Sequence, residues 1–153
     1  MAKISMPELL MNRISEAELS PNQASNAAEL IRRVNAFLAG YAKPVIVNSG
    51  YRSPEINAST SNASAKSWHL QCAAVDLADD GSLRDYCIKN LEAASRLGIW
   101  FEDWRWTPTW THMQIYPPTS GRRIFVPSSK PATAPKAWSG IYDSRYDSLI
   151  SKK

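Results

Sequence analysis

The feature that most constrains this fold is an amphipathic segment with both ends marked. Ser20 and Gln23 have the spacing of a capping box, Pro21 suits the first helical position, and Gly40 supplies a stop. Between them Ala27, Leu30, Ile31, Val34, Phe37 and Leu38 recur at three- and four-residue steps, which predicts a helix over 21–38 with one apolar face. A stripe at that spacing is packing surface rather than a cofactor pocket. A second box, Ser5 with Glu8, predicts another helix start near the N-terminus.

The β-branched run at 44–48 predicts a buried strand, which delivers a turn-like stretch, Ser49-Gly50-Tyr51-Arg52-Ser53-Pro54. Residues 57–67 are rich in Asn, Ser and Ala without periodicity and read as an irregular loop. A further strand is expected at 75–77. Ser82 with Asp85 is expected to cap a helix whose stripe of Leu83, Tyr86, Cys87, Leu91, Ala94 and Leu97 runs to Gly98. Residues 99–116 predict a β-hairpin, with aromatic and β-branched arms flanking Thr107-Pro108-Thr109. Beyond Tyr116, Pro117, Pro118, Pro127, Pro131 and Pro135 mark an extended tail interrupted by a strand-like run at 123–126. The organisation expected is one main domain over 1–126 and a Pro-rich tail over 127–153, docked on the same domain through residues such as Trp138 and Tyr142.

Composition removes several function classes. With 44% apolar and 21% charged residues, the 153-residue chain has the balance of a globular domain rather than a disordered segment. No run approaches the roughly 18 apolar residues of a membrane span, and no signal-peptide pattern opens the chain. Synthesis in the cytoplasm is therefore expected. Cys72 and Cys87 are the only cysteines and form no CxxC pattern, so two reduced thiols are expected rather than a disulfide framework or a cysteine zinc site. The net charge of +4 favours polyanionic partners such as nucleic acid or a bacterial wall. Lys and Arg are scattered rather than gathered in a stripe, which argues against nucleic acid.

His69 and His112 are the only histidines. A catalytic zinc takes three nitrogen or oxygen ligands from the protein and keeps a fourth position open, and His69, Asp76 and His112 would meet that need. The interval from His69 to Asp76 does not fit one helical face, so a loop and the strand it enters would supply them.

In order along the chain stand Ser49-Gly50-Tyr51-Arg52-Ser53-Pro54-Glu55, Ser67-Trp68-His69, Ala73-Ala74-Val75-Asp76 and Trp110-Thr111-His112. Over residues 5–116 this series resembles the zinc D-Ala-D-Ala carboxypeptidase family. That family includes VanY-like carboxypeptidases and phage L-alanyl-D-glutamate endopeptidases, and it shares its fold with the hedgehog signalling domain. The resemblance implies an α+β fold, a small central antiparallel sheet with flanking helices. It implies zinc as cofactor, with His69, Asp76 and His112 as its ligands. It further implies that Arg52 faces the substrate and steadies developing negative charge, and that Ser67 lies close to the substrate. Two positions depart from the family pattern: Cys72 stands where a glycine is usual, and Thr109 where some relatives carry an acid.

A zinc peptidase needs a carboxylate to move the proton of the attacking water, and Glu102 and Asp103 are nearest. Side chains alternate along a hairpin, so only one of them shares a face with His112. A three-residue connection, Thr107 to Thr109, pairs Trp106 with Trp110 and Glu102 with Gln114. A two-residue connection sets Asp103 opposite His112. The first is favoured for its cross-strand aromatic pair. Glu102 is thus the expected base, with Asp103 as the alternative. The function expected is hydrolysis of peptidoglycan stem peptides at the bacterial cell wall, by a carboxypeptidase or an endopeptidase such as a phage lysin. The alternative is a zinc-stabilised structural or wall-binding module that keeps the fold without turnover.

Overall fold

The computed structural model of the protein describes residues 2–60 and 67–127. The tail expected to dock on the domain lies, from residue 128 on, outside the described residues.

Two N-terminal capping boxes close as expected. Ser5 caps α1 (Met6–Leu9) and Ser20 caps α2 (Pro21–Leu38). The apolar face of α2 buries Ala27, Leu30, Val34, Phe37 and Leu38 in the core, where they join Leu77, Leu83, Ala94, Phe101 and Met113. One core therefore unites the helix with the sheet.

The sheet has five strands in the order β1-β2-β4-β3-β5. They are β1 (Val47–Ser49), β2 (Ala74–Ala78), β3 (Trp100–Glu102), β4 (Trp110–Gln114) and β5 (Ile124–Phe125). Pairing is antiparallel from β1 through β3, and β5 adds to the β3 edge in parallel. The α+β architecture implied by the resemblance is the one observed. At the middle of the sheet β2 buries Ala74, Val75, Asp76 and Leu77 in succession, and β4 buries Thr111 through Gln114. A carboxylate and a histidine on such strands must be matched by neighbours.

Several elements differ from expectation. The strand at 44–48 forms at Val47–Ser49 instead, where its pairing with β2 is irregular. Part of the expected 57–67 loop is helix: Ser53 caps α3 (Pro54–Ser59), and residues 61–66 lie outside the described residues. The helix expected from 82 to 97 divides into α4 (Ser82–Lys89) and α5 (Leu91–Leu97). At the break Asn90 Nδ2 donates to the Tyr86 carbonyl, local competition that loosens a helix interior. The cap before α4 is Gly81, not Ser82. Asp79 Oδ1 accepts from the Gly81 and Leu83 backbone N–H groups, so the carboxylate does what the serine was expected to do.

The hairpin register also differs. Trp100 pairs with Gln114 and Phe101 with Met113, which continues to Glu102 opposite His112. The β3–β4 ladder ends before Trp106, and the connection is longer than three residues. Asp103 is drawn toward β5 instead: its N–H donates to the Phe125 carbonyl, and its carboxylate takes the Arg105 guanidinium. This register and the expected one differ by an even number of residues, so Glu102 still shares the His112 face.

Candidate metal centre

His69 sits in a 3-10 turn, Trp68–Gln71, that connects the region after α3 to β2. Ser67 Oγ accepts from the His69 N–H at 3.2 Å and so opens the turn. Cys72 closes it in the left-handed region, at φ 56° and ψ 28°. That conformation accounts for the glycine usual in relatives. The Cys72 side chain is fully buried in the apolar core, and burial pushes its thiol up to about 11. It packs rather than ligates, and the metal-competent group comprises His69, Asp76 and His112 without it.

The chain then enters β2, which carries Asp76, and β4 lies alongside with His112 directly opposite Asp76. One donor atom from each of His69, Asp76 and His112 lies within 4.8 Å of the others, and all three residues are buried. Asp76 Oδ2 is 3.4 Å from His69 Nε2, and Asp76 Oδ1 is 2.8 Å from His112 Nδ1.

The outward nitrogens are engaged too. His69 Nδ1 is 2.8 Å from the Gly50 carbonyl, which can only accept, so that nitrogen carries a proton and Nε2 is the ring atom turned inward to Asp76. His112 Nε2 is 2.8 Å from Gln114 Oε1, which likewise leaves Nδ1 inward. A ligating histidine typically donates its other N–H to a carbonyl or carboxylate in this way. Two imidazoles and a carboxylate form a donor set that suits zinc, and the three residues fit such an ion.

Electrostatics bind the group together. Burial works to raise the Asp76 pKa, but the two imidazoles outweigh it and hold the carboxyl below its usual range. Burial also opposes charge on His112, yet Glu102 and Asp76 prevail and push its imidazole up to about 9. Without a metal the cluster therefore holds a proton that a cation would have to displace.

Other expected residues fall around this trio. Glu102 Oε1 is 3.5 Å from His112 Nδ1, and its side chain is 18% exposed against 3%, 10% and 6% for His69, Asp76 and His112, so it stands on the solvent side. Asp103, the alternative, is fully buried in its pairing with Arg105 and is not in this group. Arg52 reaches the centre from the loop after β1: Nε donates to Ser49 Oγ at 3.0 Å, and Nη2 is 3.5 Å from Asp76 Oδ2. Sequence reasoning missed Gly50 and Gln114, which hold the outer faces of the two rings. The signal for Gln114 was its place two residues after His112, on the same strand face.

A family model described as Peptidase M15 matches residues 3–113, well over half of the chain. The chain belongs to this family. Peptidase M15 enzymes are zinc-dependent metallopeptidases, and the match spans the three metal-competent residues as well as Arg52 and Glu102. No curated protein and no solved structure gives a match. Among the described residues, no helix is long and apolar enough to cross a membrane.

Proposed function

We propose that this M15 chain is a zinc peptidase acting on the stem peptides of bacterial peptidoglycan, with His69 Nε2, Asp76 and His112 Nδ1 as the metal ligands. The observation that supports this most is the second carboxylate. Glu102 stands beside the trio on its solvent side, so one acid is committed to the centre and another is left for proton transfer.

Zinc bound there would lower the pKa of a water in its open position and polarise the scissile carbonyl. Glu102 takes the proton of the attacking water and returns it to the leaving amine. Arg52, held by Ser49 and Asn57, aims its guanidinium at the side of Asp76, where it stabilises the oxyanion as it develops. Ser67, whose hydroxyl accepts the His69 N–H, can donate a further bond to a substrate carboxylate. The basic charge of the chain suits an anionic wall polymer, and the bacterial cell wall is the proposed place of action.

The test combines metal analysis with mass spectrometry of soluble fragments released from purified peptidoglycan. Wild type should bind zinc and release fragments whose ends name the bond cut. Glu102→Gln should retain the zinc and lose the cleavage. Full activity in that variant would remove Glu102 from its role, and zinc without any cleavage in wild type would leave a zinc-stabilised wall-binding module.

A further inference from the structure

The strand that delivers His112 ends at Gln114 and the chain bends on through Tyr116, past the end of the family match at residue 113. Gln114 is 4% exposed, and both ends of its amide are used. Its Nε2 donates to the Tyr116 carbonyl at 2.7 Å, and its Oε1 lies 2.8 Å from His112 Nε2. A backbone carbonyl can only accept, so the amide nitrogen must face Tyr116 and the amide oxygen must face the ring. That oxygen also only accepts. The proton between the two side chains therefore belongs to His112 Nε2, and the ring turns Nδ1 toward Asp76 and Glu102.

Tyr116 is itself held from two directions. Its hydroxyl donates to Asn26 Oδ1 on α2 at 2.6 Å, and its ring stacks on Trp68 with centroids 4.5 Å apart and planes 23° apart. Trp68 opens the turn that carries His69, and Asn26 Nδ2 donates to the carbonyl of Gln71, which ends it. The segment just after β4 thus braces both histidine-bearing elements against α2.

We infer that Gln114 is a positioning residue: it locks His112 with its proton on Nε2 and so assigns Nδ1 to the metal. This rests on the reading of His69, Asp76 and His112 as the ligands. Without the amide oxygen a buried imidazole has no acceptor on its outer side. The ring then keeps only its inner contacts to Asp76 and Glu102, which favour a proton on Nδ1, and the metal must supply the opposite ordering itself.

The experiment is zinc affinity of the full chain by competition with a chromophoric chelator, together with imidazole NMR of the zinc-loaded protein. Wild type, Gln114→Met and Gln114→Glu are compared, each checked for a cooperative thermal transition. Gln114→Met should weaken zinc binding about 10- to 100-fold and lose the slowly exchanging His112 Nε2–H signal. Gln114→Glu keeps an acceptor and should restore both the signal and an affinity within about threefold of wild type or tighter. A folded Gln114→Met that binds zinc within about twofold of wild type, or a proton on His112 Nδ1 in the zinc-loaded wild type, overturns the inference. Should Gln114→Met not fold, the glutamate variant decides, since a folded Gln114→Glu that has lost about tenfold or more also overturns it. Wild type that binds no zinc would instead defeat the metal centre itself, an outcome separate from any variant result.

Discussion

Replacing Gly50 with alanine should damage the fold and the metal centre together. A Cβ at this position would stand 2.0 Å from the Leu9 carbonyl oxygen and 2.8 Å from the Leu9 carbonyl carbon, both backbone atoms at the end of α1. Neither can move aside like a flexible side chain. The same contact carries the hydrogen bond from the Tyr51 N–H to the Leu9 carbonyl, at 2.7 Å. Loss of that bond costs about 1 kcal/mol, and forcing a methyl group into a filled site about 1–3 kcal/mol, for a total of about 2–4 kcal/mol. In a domain of this size the melting temperature should fall by about 5–15 °C. The Gly50 carbonyl also holds His69 Nδ1 at 2.8 Å, so any backbone shift turns the ring. Loss of such a partner typically costs about 10- to 100-fold in metal affinity. Thermal denaturation followed by circular dichroism reads the first effect, and chelator competition the second. A Gly50→Ala protein that melts within about 2 °C of wild type and binds zinc equally well would refute the packing and the coupling alike.

Further outcomes follow from the same geometry. Arg52→Lys removes the planar fork beside Asp76 and should lower kcat about 100-fold while leaving zinc content unchanged, as steady-state kinetics and metal analysis would show. The Cys72 thiol, buried and pushed up to about 11, should resist alkylation at neutral pH in the folded protein and react once denaturant is added; stoichiometric labelling under native conditions would contradict its placement. His112 gives a pH dependence. Its imidazole is raised from 6.5 to about 9, so in metal-free protein its stabilising contribution is complete below about pH 6.5 and is lost as pH rises through about 9. Zinc must displace the same proton, so affinity measured by chelator competition should strengthen as pH rises toward about 9.

What could be read in the sequence was what local chemistry decides. The capping box, the proline and the apolar stripe of α2 lie within a few residues of one another, and the helix forms at the expected bounds. His69, Asp76 and His112 were legible because the chain has no other histidines and because their surroundings follow a family pattern. The turn before α4 was misread because Asp79, Asp80, Gly81 and Ser82 all carry cap signals, and the choice among them depends on where Asp79 sits against β4. There Thr111 donates to Asp79, a contact 32 residues distant in sequence. The hairpin register likewise goes with β5, whose Phe125 carbonyl takes the Asp103 N–H just past the end of β3. Glu102 kept its expected face because strand parity survives a shift of two. Gln114 and Gly50 went unread for another reason. A backbone carbonyl carries no mark in sequence and a neutral amide only its strand parity, and both matter only once a ring nitrogen is seen against them.

The measurement that bears most directly on the metal centre is zinc stoichiometry, by elemental mass spectrometry, of the wild-type chain and of Asp76→Ala after equilibration with a weak chelator. The expected result is one zinc per wild-type chain and none retained by the variant, because Asp76 lies against both histidines and its removal leaves two ligands where a catalytic zinc needs three. A wild-type chain without zinc, or a folded Asp76→Ala that holds it as tightly, would contradict the assignment of His69, Asp76 and His112.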